Sequence, residues 1–341
     1  MHGEREGASP LAATLARVRC IAERAASPKL RLGRTSFALA LLLAVTAVGP
    51  ASAAGPAPLS TAELRARTAA IPREVRAPVP PRPSQFEEGE PILPANRVVA
   101  IYGAPQLGST ALGERSSRSA AKLAARQARA YVKRGERPAI PALDLIGVVA
   151  NSTPGPDRLY RTRQPDDLIA EYLKRVRAIG GRLMIDIQPG RSPILDEIEH
   201  LEPWLDEPDV DIAIDPEWNV GRHGVPGRTV GRVTASEINA ASRALQRLVA
   251  DEDLPPKILV VHQFHKGSIR KRRRVKERRD VEVTFNFDGI GAPGPKIAGY
   301  EALASSTLFN GFSVFYDLDT KVMSPKQVLG LDPVADFLLY Q

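Results

Sequence analysis

The chain has one cysteine, Cys20, in 341 residues. That excludes an intrachain disulfide and any multi-cysteine zinc or iron–sulfur site. It has five histidines and no paired-histidine spacing of the kind that marks a zinc centre. An apolar run from Phe37 to Val48 is only twelve residues long, whereas a membrane-spanning helix needs about 20. Aromatic residues make up 5% of the chain, against 30 prolines and 26 glycines, a balance that points to many turns and at least one irregular segment. At 43% hydrophobic and 25% charged, the chain is nevertheless able to bury a large core. Full-length disorder and a collagen-like fold are excluded.

The formal net charge of +8 is unevenly spread. Residues 1–53 contribute +4 and residues 266–280 (KGSIRKRRRVKERRD) another +7, which leaves the remainder at −3. A nucleic-acid-binding domain spreads its basic charge over a face and supports it with aromatics or a recognition helix. Here the charge is one short run with no aromatic in it, so no nucleic-acid partner is expected. The run reads as a solvated, mostly helical connector, with weak contact to an anionic surface as the alternative.

Residues 29–54 read as an export signal. Lys29, Arg31 and Arg34 precede the apolar run, and Gly49-Pro50 leads into the small-residue site Ala51-Ser52-Ala53. Cleavage near Ala53 would release an exported protein without cysteine, extracellular or associated with the cell wall; an uncleaved signal would leave a membrane anchor. Residues 1–54 are thus set apart as an N-terminal extension and signal, and residues 55–94 as a proline-rich linker. Pro78-Val-Pro80-Pro81-Arg-Pro83 can form neither a helix nor a central strand. Within the linker, only 61–70 has helical composition.

From residue 95 to 341 the pattern is regular. Eight short apolar or β-branched runs begin near residues 98, 143, 183, 210, 258, 281, 312 and 337, and helical or basic connectors separate them. Alternating β and α elements imply a parallel sheet, and eight repeats in this length imply a (β/α)8 barrel of the TIM type. An open doubly wound sheet would place a glycine-rich phosphate turn after its first strand; Gly103-Ala-Pro-Gln-Leu-Gly108 has the wrong spacing.

Side-chain alternation then locates a site. In Val281–Asp288 the apolar residues 281, 283, 285 and 287 share one face, while Glu282, Thr284, Asn286 and Asp288 share the other. The same parity turns Met184, Asp186 and Gln188 inward on one strand and Asp211, Ala213, Asp215 and Glu217 inward on the next. Acids and amides therefore end several strands at their carboxyl ends, the rim where barrel enzymes carry their active sites. Tyr102, His262, Gln263 and Asp317 join this rim, and Trp218 follows, either as a platform for a sugar face or as a lid over the barrel end. Clustered carboxylates repel one another, which a purely structural core has no reason to accept. A glycine-rich turn, Gly289–Lys296, could also cradle a phosphate at a helix start.

The blocks AIYGAP (100–105), IDIQPG (185–190), IDPEW (214–218), VVHQF (260–264) and FDGIG (287–291) resemble a group of exported bacterial barrel proteins without an assigned activity. More broadly, the architecture is similar to glycoside hydrolase barrels. Asp211-Ile-Ala-Ile-Asp215-Pro-Glu217 resembles the acidic fourth-strand motif of the chitinase-like family, in which an Asp two residues before a Glu orients the catalytic acid; the pattern departs at Ala213. The rim acids, read beside this likeness, lead to the expectation of hydrolysis of a cell-surface or environmental polysaccharide, with no cofactor and no metal. Glu217, Asp215, Asp288 and Asp186 would be catalytic. Tyr102, Gln188, Trp218, His262, Gln263, Asn286 and Asp317 would bind substrate. Two other readings stay open: a non-catalytic barrel that binds a cell-wall glycan, and a metal-dependent hydrolase or isomerase.

Overall fold

The computed structural model describes residues 90–132 and 137–341. The expected signal segment and cleavage site near Ala53, the stretch 61–70 of helical composition and the expected linker up to residue 89 lie outside the described residues. Eleven strands run β1 (Arg97–Gly103), β2 (Ala139–Ala150), β3 (Arg161–Arg163), β4 (Arg182–Ile187), β5 (Val210–Ile214), β6 (Val233–Thr234), β7 (Lys257–Gln263), β8 (Ile269–Arg270), β9 (Val281–Phe287), β10 (Phe309–Val314) and β11 (Phe337–Tyr340). The helices between them are α1 (Ser117–Val132), α2 (Asp166–Arg177), α3 (Ile194–Leu205), α4 (Ala235–Asp251), α5 (Pro293–Leu303) and the short α6 (Pro325–Val328). Among the described residues no helix is long and apolar enough to cross a membrane.

Eight of these strands, β1, β2, β4, β5, β7, β9, β10 and β11, pair in parallel in that order, and β11 returns to β1. The result is a closed eight-stranded parallel barrel with helices between strands, a (β/α)8 architecture. Closure pairs both edges of each of these eight strands within the barrel.

The period-2 alternation sorts the core into two shells. Val98, Ala100, Ala142, Met184, Ala213, Ile258, Val260, Phe337 and Leu339 fill the inside. The opposite faces, with Ile185, Ile212, Val283, Phe285 and Phe287, pack against the helices. Parity along β2 shifts at a bulge, so that Ile146 and Val149 both face inside. The register slips between Ile146 and Val148, and a Cβ on Gly147 would lie 2.3 Å from Ile185 Cγ2, so only glycine fits the extra position.

The amino-terminal end of the barrel is sealed by a polar layer and a plug. Arg182 clasps Asp211 through two bonds of 2.6 and 2.9 Å. Glu282 accepts the backbone N–H groups of Ile92 and Leu93 at 2.7 and 3.0 Å. Ile92 and Leu93, which composition assigns to the linker, are fully buried members of the barrel core.

One connector departs from expectation. Residues 264–280 contain no α-helix; they form β8 and a single 3-10 turn at Arg272–Arg274. The segment is held open by α4: the Asn239 side chain bonds Arg274 O and Lys276 N, and Arg278 bonds Ser242 Oγ. Arg272 takes over the covering role of the missing helix, with its guanidinium 4.0 Å from the Phe285 ring centroid and a 2.6 Å bond to Leu303 O.

Candidate active site

At the carboxyl rim β5 gives way to a tight turn. Asp215 caps the 3-10 turn Pro216–Trp218, its side chain accepting from Glu217 N at 3.4 Å. Behind that turn, Gly231 donates its N–H to Glu217 O at 2.6 Å, and a Cβ there would meet Asn219 O at 2.4 Å. The close backbone approach requires glycine, and it fixes where the Glu217 side chain starts.

A pocket of about 70 Å³ opens here, lined by Tyr102, Asp215, Glu217, Trp218, His262 and Asp288 together with Phe264, Phe315, Asp317 and Gln341. A water needs some 10–15 Å³ of such space, so the pocket holds one small group rather than several units of a polymer.

The centre of the site is an imidazole–carboxylate pair. His262 Nδ1 lies 2.7 Å from Asp288 Oδ2. Asp288 also accepts from Asn286 Nδ2 at 2.7 Å, from Ser313 Oγ, and from Gln341 Nε2 at 3.4 Å. The carboxylate is thus locked in one orientation, and it orients the imidazole in turn. Burial alone would lower the pKa of His262. Asp288, Asp186 and Asp215 around it win, raising it well above the ordinary histidine value.

The surrounding acids move the other way. Burial, reinforced by Asp288 and Asp186 and opposed by His262, pushes Glu217 up to about 7. Burial pushes Asp186 up to about 6, against the opposing His262 cation. Tyr102 also favours the Asp186 anion, though no well-formed hydrogen bond reaches either Asp186 oxygen. Asp215 is raised well above the carboxylate range by burial and by Glu217. The arrangement can therefore hold a transferable proton on Glu217 near neutral pH beside a fixed cation.

The residues expected from sequence divide into three groups. Tyr102, Asp215, Glu217, Trp218, His262, Asp288 and Asp317 line the pocket. Asp186, Gln188 and Asn286 stand behind it: Gln188 donates to the Tyr102 hydroxyl at 3.2 Å, and Asn286 supports Asp288. Gln263 turns away, donating to His265 O at 3.3 Å. In the Gly289–Lys296 turn, two of the donors a phosphate would use are already taken. Lys296 Nζ and Gly291 N are both bonded to Asp319, at 2.6 and 3.0 Å.

Sequence reasoning missed Asp144. Its carboxyl is fully buried without a hydrogen-bond partner, and burial together with Asp186 raises its pKa well above the usual range. The available signal was a lone acid in the apolar strand AIPALDLIGVVA. Among the described residues no group of three or more His, Cys, Asp and Glu side chains is arranged to hold a metal ion. Compared with known protein families and with curated proteins, the chain matches none.

Proposed function

We propose that the protein hydrolyses a glycosidic bond in a cell-surface or environmental polysaccharide, with Glu217 as the general acid. The observation that carries this reading is the state of Glu217. It is a pocket-lining carboxyl at a barrel rim, raised to about 7, so near neutral pH it carries a proton to give to a leaving-group oxygen. Asp288 faces the same pocket, but His262, Asn286 and Ser313 occupy its lone pairs. Its part is to hold His262 in place; the water that adds to the anomeric carbon as the bond breaks gives its proton to the deprotonated Glu217, which restores the acid. Asp186 adds negative charge from behind, and Trp218 and Tyr102 close the sides. The small pocket suits the terminal sugar of a chain.

Glu217→Gln removes the proton and keeps the shape. It should abolish turnover on a panel of glycan and cell-wall fragments while sugar binding persists. Full retained hydrolysis would refute the role of Glu217. No hydrolysis by either protein, with binding intact, would favour the non-catalytic reading instead.

A further inference from the structure

The two loops that flank the pocket carry a charge pattern that the chemistry at Glu217 does not use. Residues 219–234, after the Glu217 turn, contain no acidic residue, and Arg222, Arg228 and Arg232 are exposed on them. Residues 264–274, after β7, also contain no acid, and expose Lys266, Arg270 and Lys271. The loops are stitched together beside the pocket. Val233 and Thr234 pair with Ile269 and Arg270, Val233 N bonds Ser268 O at 3.0 Å, and Arg232 N bonds Asn219 O next to Trp218. None of these six cations has an ion-pair partner among the described residues. Like charges so gathered repel one another and draw in counter-anions.

From this we infer that the glycan bound at the Glu217 pocket is itself anionic, its acidic groups lying along the basic arc of Arg222, Arg228, Arg232, Lys266, Arg270 and Lys271 while a single sugar enters the pocket. The inference rests on the glycosidase reading and names its substrate class. Other polyanions fit the arc less well. Single-stranded nucleic acid calls for aromatic side chains interleaved with the charge, and these loops offer only Phe264 beyond Trp218. A membrane surface calls for apolar anchors, and Val230 is the only exposed large hydrophobic residue on them.

The test measures binding of the full chain to three fluorescent probes of equal length: an oligogalacturonate, its methyl ester, and a single-stranded oligonucleotide. A triple variant, Arg232→Glu/Lys266→Glu/Arg270→Glu, is compared with wild type, and its folding is checked by thermal unfolding. Wild type should bind the oligogalacturonate about tenfold or more tighter than the ester, an advantage that shrinks from 50 to 200 mM salt and disappears in the variant. Equal binding of acid and ester by wild type would overturn the inference, whether or not the variant folds. Tighter binding of the oligonucleotide, or of anionic vesicles run alongside, would overturn it in favour of a general polyanion surface. Loss of hydrolysis in Glu217→Gln is scored separately on a panel of acidic and neutral glycan fragments. The substrate-class inference can thus fail while the glycosidase reading stands, or the reverse.

Discussion

At the scale of the residue, the site is a balance between burial and one cation. Glu217, Asp186, Asp215 and Asp144 are all raised by burial, and His262 offsets that rise. The general acid works only when protonated, so its active fraction is complete well below its pKa and is lost as pH rises through it. kcat/KM should therefore fall as pH climbs through about 7, and a pH–rate profile checks the alkaline limb. Ser313 supplies the next prediction. It donates to Asp288 and accepts from Asn286 at 2.8 Å, yet it does not line the pocket. Ser313→Ala should lower kcat by roughly ten- to a hundredfold through misplacement of Asp288 and His262, with KM little changed; steady-state kinetics separate the two constants.

At the scale of the element, the alternation in β9 was readable because one strand face is uniformly apolar and the other uniformly polar. The same rule turned Asp186 inward on β4 and Asp215, just beyond the end of β5, toward the pocket. It could not flag Asp144, because β2 is apolar on both faces and Gly147 shifts its parity partway. The 264–280 connector defeated the reading for another reason. Its Arg and Lys residues favour a helix locally, but bonds from Asn239 and Ser242, some 35 residues away, hold the backbone extended. Lys271 accordingly adopts a left-handed conformation with φ of 55°. The exposed outer face of β9 is then covered by an arginine, whose burial lowers its pKa to about 10. Arg272→Ala should cost about 1–2 kcal/mol, from the lost ring contact and hydrogen bond. Urea unfolding would show it as a lower midpoint with an unchanged slope.

At the scale of the whole molecule, the barrel keeps stability and chemistry at opposite ends. The amino-terminal end is closed by paired groups, Arg182 with Asp211 and Glu282 with the Ile92–Leu93 plug, with Arg97 Nη1 at the start of β1 left without a partner. The carboxyl end keeps partnerless buried polar atoms on Asp144, Asp186 and His262. Unsatisfied groups are costly, and natural structures keep them where they are used. Removing one partner at the closed end strands a buried charge, so Arg182→Ala should destabilise the fold by about 3–5 kcal/mol, and Arg182→Met/Asp211→Leu should recover much of that loss. Chemical denaturation of the single and double variants decides it. The protonation state of the buried Glu217, on which the proposed chemistry depends, can be measured directly. Carbon-13 NMR titration of carboxyl-labelled glutamate in wild type and Glu217→Gln should show one resonance with a midpoint near 7, present in the first protein and missing from the second. If the resonance lost on substitution titrates instead at the ordinary glutamate value, about 4.3, Glu217 is not held protonated near neutral pH and the account is contradicted.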